Sequence, residues 1–142
     1  MNRVIEVDKL LENPYLNVVA HFSVALLLLV IFLALFERVT SYRTWEEIMN
    51  GNAAVAMSIG GKIFGICNVF RFAVGAGEDV YTVIFWGIIG FVLLVVAYFV
   101  FEFLTPSINV DKQLAEGNVA VGFLSLTISI SLSYVIGASI LG

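Results

Sequence analysis

The sequence is poor in the residues that carry most metal binding and enzyme chemistry. It contains one cysteine, Cys67, and one histidine, His21, among 142 residues. A single cysteine excludes an intrachain disulfide, and its apolar neighbours include no metal ligand, so we expect Cys67 to be a small buried apolar residue. A single histidine excludes a metal site built from several histidines. We therefore expect neither a metal nor a cofactor.

Charged residues are equally scarce. Lysine, arginine, aspartate and glutamate make up 13% of the chain, and the net charge is −4. Because a nucleic-acid surface needs clustered basic residues, nucleic acid is not an expected partner. The sequence also lacks a recognisable nucleophile–base pair and a phosphate-binding loop, so we do not expect an enzyme.

Apolar residues are abundant instead. They account for 61% of the chain, against about 45–50% in soluble domains, and the mean hydropathy is +1.02. Four apolar runs come close to the length of about 20 residues that crosses a bilayer core. They cover approximately residues 18–36, 53–74, 81–103 and 119–141. The predicted fold class is an all-α transmembrane four-helix bundle in the lipid bilayer.

A Gly-Asn motif occurs twice, each time between a polar loop and an apolar run. The copies are Gly51-Asn52 and Gly117-Asn118. Asparagine is a favourable helix N-cap and glycine permits a sharp turn, so one interpretation is a cap with a hinge. The alternative is that the two asparagines and two helix N-termini line an anion or substrate site.

The repeated motif predicts that a two-helix unit was duplicated. Glu37 and Glu102 stand at equivalent places, each at the end of the apolar run before a motif, where we expect solvated boundary charges. The predicted units are an interfacial segment, 1–17, and two repeats, 18–76 and 77–142. Two crossings return the chain to its starting side, so the repeats are expected to be parallel. Three lysines or arginines flank the spans on each side, and the short loop before Gly51 favours slightly the cytoplasmic side for both motifs.

The first residues form a separate element. Residues 3–12 place apolar side chains at helical spacing, and Asn13-Pro14 follows them. We expect a short amphipathic helix that lies on the membrane surface.

Lys62 is the most informative single residue, because it lies near the middle of the second span. A lysine at that depth costs about 2.5–3.5 kcal/mol on insertion scales, so it should face the bundle interior or a water-filled cavity. A role in a pore or an ion-binding site and a structural role in an ion pair both stay open. The equivalent position of the second unit is Ile128.

Two further sets of residues bear on packing and polarity. The second span has small residues that favour close helix packing or, alternatively, a homo-oligomer interface. The fourth span has hydroxyls four residues apart, which either join helices or, with Ser58 on the face of Lys62, line a polar path. The small residues are Ala56, Gly60, Gly61 and Gly65, and the hydroxyl stripe is Ser125, Ser129 and Ser133.

The repeated motif, Glu37 and the glycine-rich second span together resemble a small bacterial inner-membrane family catalogued as domain of unknown function 350, the YjfL-like proteins. The resemblance covers about residues 18–142. It implies a multi-pass protein of the bacterial cytoplasmic membrane and brings no activity. The serine-rich fourth span, which lacks a glycine pair, departs from strict equivalence of the two halves.

The function that we expect is an oligomeric channel- or transporter-like protein with an intramembrane lysine. The alternative is a structural membrane subunit that transports nothing and binds a protein partner in the membrane.

Overall fold

The computed structural model describes residues 2–76 and 79–142, and side chains from residue 6 onward. The described part of the chain is helical and contains no strand. Its helices, in chain order, are α1 (Asn2–Leu11), α2 (Pro14–Val39), α3 (Thr44–Met49), α4 (Ala53–Ala76), α5 (Val80–Leu104), α6 (Val110–Ala115) and α7 (Val119–Leu141).

Four of these helices, α2, α4, α5 and α7, are long and apolar enough to cross a membrane. The predicted all-α fold with four spans is therefore confirmed. Helix α2 begins at Pro14, earlier than the predicted residue 18. The Asn13 side chain accepts a hydrogen bond of 3.0 Å from the Tyr15 backbone N–H, and proline suits the first position of a helix.

The other three helices are short. Helix α1 ends at Leu11, and Val7 and Leu10 on it are exposed; its place on the membrane surface stays a prediction. Helices α3 and α6 lie in segments that were predicted only as loops. The predicted boundary between the repeats, at 76 and 77, falls against residues 77 and 78, which lie outside the described part of the chain.

The centre of the bundle is the pair α4 and α7, which make the most extensive contact of any two helices described. Their backbones touch at two glycines. A β-carbon at Gly61 would lie 2.6 Å from the Leu126 Cα, and one at Gly122 would lie 2.6 Å from the Ala54 carbonyl oxygen. Only glycine permits this approach, which is how helices pack closely where lipid supplies no hydrophobic driving force.

Helices α5 and α2 complete the bundle, and aromatic side chains join these two helices to each other. Helix α5 packs on both α4 and α7, and α2 lies against α4 and α5. The Phe32 ring of α2 stacks on the Phe91 ring of α5 with centroids 3.9 Å apart, and Phe36 meets Phe91 edge to face at 5.4 Å. Helix α2 is otherwise peripheral and exposes most of its length.

The prediction that Cys67 is buried is wrong. Cys67 is exposed, on the same outward stripe of α4 as Phe64 and Arg71. Hydrocarbon is as apolar as a protein core, so an apolar side chain in a membrane helix has no strong preference for the inside. The side that a helix turns inward is decided by close backbone contact and by polar side chains.

The contact of α4 with α7 yields a first prediction. Gly61→Ala should lower the unfolding free energy in detergent by about 1–3 kcal/mol, because the added methyl group overlaps the Leu126 backbone. Gly60→Ala is the matched control, since a β-carbon there has no other side chain or helix within 4 Å. Thermal unfolding followed by circular dichroism measures both. Equal midpoints for the two variants would contradict the described contact.

Candidate functional site

The two Gly-Asn motifs have the same local geometry. Gly51 and Gly117 have φ angles of +84° and +80°, the left-handed conformation that favours glycine. Each ends a short helix in a Schellman motif, in which the following asparagine N–H donates back to Glu47 O at 3.0 Å or Gln113 O at 2.9 Å. Glycine thus ends one helix so that asparagine can begin the next.

The two asparagine side chains then cap the long helices. Asn52 Oδ1 accepts from the Val55 N–H at 3.1 Å, and Asn118 Oδ1 accepts from the Val121 N–H at 3.4 Å. Their amide nitrogens donate back to the short helices, to the side chains of residues 47 and 113 at 2.9 and 2.7 Å. Each asparagine Oδ1 is therefore bonded to the helix that follows it, as expected for a helix cap.

Asn52 also joins the two halves of the chain. Its Nδ2 donates to the Leu114 carbonyl oxygen at 2.9 Å and lies 3.3 Å from that of Ala115, both at the end of α6. Asn118 makes no corresponding bond to α3 among the described residues. The two motifs are therefore alike in local geometry and unequal in the contacts between them.

Lys62 lies inside the bundle, with 4% of its surface exposed. Its ammonium donates to Ser58 Oγ at 2.7 Å, and Ser58 shares a 2.9 Å hydrogen bond with Ser125 of α7. The Nζ atom also stands 5.0 Å from the centre of the Tyr98 ring and 5.6 Å from that of Phe36. Such cation–π contacts stabilise a desolvated ammonium. Among the described residues, no carboxylate lies within 4.0 Å of Nζ.

A buried carboxylate also lies in this region. It belongs to Asp111, on α6, which is 8% exposed. Its Oδ2 accepts from the Ser41 N–H at 2.8 Å and from the Ser41 hydroxyl at 2.7 Å. Its Oδ1 accepts from the Tyr98 hydroxyl. Asp111 thereby ties α6 to α5 and to the segment before α3. We call Asp111, Tyr98 and Ser41 the Asp111 cluster.

Tyr42 lies next to both groups. Burial raises the pKa of Tyr42 to about 12; the nearby Ser58 hydroxyl opposes this rise and the negative charge of Asp111 adds to it. Tyr42 is therefore neutral at any physiological pH. Tyr42 therefore adds no charge to this region.

A cavity of about 20 Å³ adjoins Lys62. That volume holds about one water-sized particle. Its polar wall consists of Lys62, Tyr98, Ser125 and Ser129, and its apolar wall consists of Phe36, Leu94, Phe101, Ile128 and Leu132. Ile128, the residue equivalent to Lys62 in the second predicted repeat, thus faces the same cavity.

The three serines of the α7 stripe have different environments. Ser125 pairs with Ser58, whereas Ser133 accepts from Asn68 Nδ2 of α4 at 3.0 Å and donates to the Ile130 carbonyl at 2.6 Å. Ser129 donates to the Ser125 carbonyl at 2.8 Å and lines the cavity. Two of the three hydroxyls therefore join α4 to α7, and two of them border the cavity.

The remaining predicted residues lie outside this site. Glu37 and Glu102 are half-buried near the C-terminal ends of α2 and α5. Gly61 and Gly65 are buried against α7, whereas Ala56 is exposed and Gly60 is half-buried. Among residues 2–76 and 79–142, no three His, Cys, Asp or Glu side chains converge as metal ligands would.

Sequence reasoning missed the Asp111 cluster. An aspartate in a loop beside a span is ordinary, and Tyr98 has the position of an interface aromatic. A signal does exist when the two motifs are aligned on their glycines. Asp111 then falls opposite Trp45, so the second loop carries a charge where the first carries an aromatic ring.

Comparison with known proteins gives two matches. The model of the family described as Domain of Unknown Function (DUF350) matches residues 9–140. The chain is also similar to the UPF0719 transmembrane protein YshE of Bacillus subtilis (strain 168), with 50% identity over 129 residues, 91% of this chain and 96% of that protein. No solved structure matches the chain.

The capping bonds yield a second prediction. Asn118→Ala should cost about 1 kcal/mol of unfolding free energy, the usual value of an N-cap. Asn52→Ala should cost about twice as much, because it also removes the contacts with the carbonyl oxygens at the end of α6, which Asn118 does not match. Chemical unfolding in detergent measures both, with exposed Asn50→Ala as the control. Equal losses at the two caps would argue against the contact between the loops.

The Asp111 cluster yields a third prediction. Tyr98→Phe should lower the unfolding free energy by about 1.5–3 kcal/mol, because a buried carboxylate loses a donor. Tyr81→Phe, at an exposed tyrosine of α5, should change it by less than about 0.5 kcal/mol. The same unfolding measurement compares them. A Tyr98→Phe protein as stable as Tyr81→Phe would mean that the hydroxyl is not bonded to Asp111.

Proposed function

We propose that this chain, which belongs to the family described as Domain of Unknown Function (DUF350), is an oligomeric channel- or transporter-like protein of the bacterial inner membrane. The chain is a multi-pass transmembrane protein with four apolar helices. In the proposal, the solute passes the Lys62 ammonium on its way through the bundle.

The observation that carries the proposal is the environment of Lys62. The ammonium is buried in a spanning helix, its hydrogen-bond partner is a hydroxyl, and it adjoins a cavity. A purely structural lysine at this depth is normally paired with a carboxylate, and a well-packed apolar residue would usually be at least as stable. A buried ammonium beside a cavity provides both the charge and the volume that a solute-binding site needs.

A second observation supports assembly of several copies. Thr127, Ser131 and Tyr134 are exposed on the outer face of α7. Thr127 already donates to the Phe123 carbonyl of its own helix, at 2.9 Å. The hydroxyls of Ser131 and Tyr134 are better placed against another helix than in hydrocarbon, because there they can donate across the contact. We therefore place the proposed interface between copies on α7 rather than at Gly61 and Gly65, which are buried within the chain.

The alternative is a membrane subunit that transports nothing and binds a partner protein. The observation in its favour is α2, where only 6% of the most apolar 18-residue window is buried, compared with 56% in α4. Such a helix offers a long surface to a neighbouring helix. In this alternative, Lys62 serves only to hold α4, α5 and α7 in position.

The test is conductance. Purified protein in planar bilayers with potassium chloride on both sides should give a conductance that Lys62→Met lowers at least tenfold. Lys112→Met, at an exposed lysine of α6, should leave it unchanged. Native mass spectrometry of the same preparations checks that assembly is retained. Wild-type protein that conducts no more than a protein-free bilayer would contradict the transport role, and a co-purifying protein lost from Lys62→Met would favour the alternative.

A further inference from the structure

The Lys62 ammonium, which adjoins the cavity, has N–H groups that no described acceptor binds. The ammonium has three N–H groups and no acceptor capacity, and one N–H is bonded to Ser58. Ser58 and Ser125 share a hydrogen bond in which either hydroxyl can donate, so Ser125, which lines the cavity, keeps its own proton for an occupant when Ser58 is the donor. An occupant of the cavity therefore meets donors.

The electrostatic balance at the cavity also favours negative charge. The carboxylate of Asp111 is engaged by Ser41 and by the Tyr98 hydroxyl, and it makes no ion pair with Lys62. The positive charge of the ammonium therefore stands at the cavity without a contacting counterion among the described residues. In a medium of low dielectric, a cation in this position attracts an anion strongly.

Size and wall chemistry narrow the class of anion. A volume of about 20 Å³ admits a particle of about one water and is too small for a sugar, an amino acid or a phosphate ester. The wall is largely apolar, with Phe36, Leu94 and Phe101 among its residues. Such a wall does not replace a full hydration shell, so it suits a weakly hydrated ion with a single charge.

We propose that this cavity binds one monovalent anion of halide size between the Lys62 ammonium and the Ser125 hydroxyl. If the proposed transport role holds, this class of anion is its solute. Binding itself depends only on the geometry of the site. The anion supplies a counter-charge in direct contact with the ammonium, which no described side chain provides.

The test measures binding without transport. Chloride-35 NMR line broadening is recorded for the detergent-solubilised full chain, with bromide as competitor. The wild type should broaden the line in excess of detergent alone, and bromide should remove the excess. Lys62→Met should abolish the excess, and Ser125→Ala should weaken apparent affinity several-fold while retaining the ammonium.

The controls make the result decisive. Lys112→Met should broaden the chloride line as the wild type does, because Lys112 lies on the exposed side of α6. If Lys62→Met fails to fold by circular dichroism, Ser125→Ala gives the result alone. The proposal would be overturned if the wild type broadened the chloride line no more than detergent alone does. It would also be overturned if the wild type and Ser125→Ala broadened the line equally. Either result would leave water as the occupant of the cavity.

A parallel measurement of chloride efflux from liposomes separates the two proposals. Chloride binding without efflux would support the anion site and contradict the transport role. Conductance that persists when chloride is replaced by a large organic anion, with no chloride broadening, would support transport and overturn the anion site.

Discussion

The direct backbone contact between α4 and α7 is the constraint on which the rest of the structure depends. Gly61 and Gly122 bring the two helices close enough for short side chains to reach across. Ser58 then meets Ser125, and Asn68 meets Ser133. Hydrogen bonds of this kind join membrane helices where the hydrophobic effect does not. With larger residues at the glycines, these polar groups would be separated.

Tyr98 connects the two charged groups of the site without letting them touch. Its ring faces the Lys62 ammonium, and its hydroxyl donates to Asp111. A tyrosine can do both because it combines an aromatic face with a polar end. Lys62 is thereby stabilised in the bundle while its ammonium stays available to the cavity. A direct ion pair with Asp111 would have neutralised it.

The proposed transport role sets a requirement on motion or assembly. A cavity for about one water is not a continuous path, so a solute needs a wider state of the bundle or a route completed by another copy. The Asp111 cluster joins α5, α6 and the segment before α3 through three hydrogen bonds. Breaking those bonds is one way to reach such a state, because in the described part of the chain the two motif loops are otherwise joined through Asn52 and apolar contacts.

The four spans and the turn at each Gly-Asn pair could be read from the sequence alone, because hydropathy over about 20 residues and helix capping are local properties. The family was indicated by the resemblance of the repeated motif and the glycine-rich second span. The helices α3 and α6, the exposure of Cys67 and the bond between Tyr98 and Asp111 could not. They depend on which faces of the helices meet, and in lipid an apolar pattern does not distinguish inside from outside. The cost of burying a lysine predicts only that Lys62 needs a polar neighbour. Ser58, four residues earlier on the same helix, is such a neighbour by helical spacing alone. That a cavity, and not a carboxylate, adjoins the ammonium was decided by the packing of the other helices around α4.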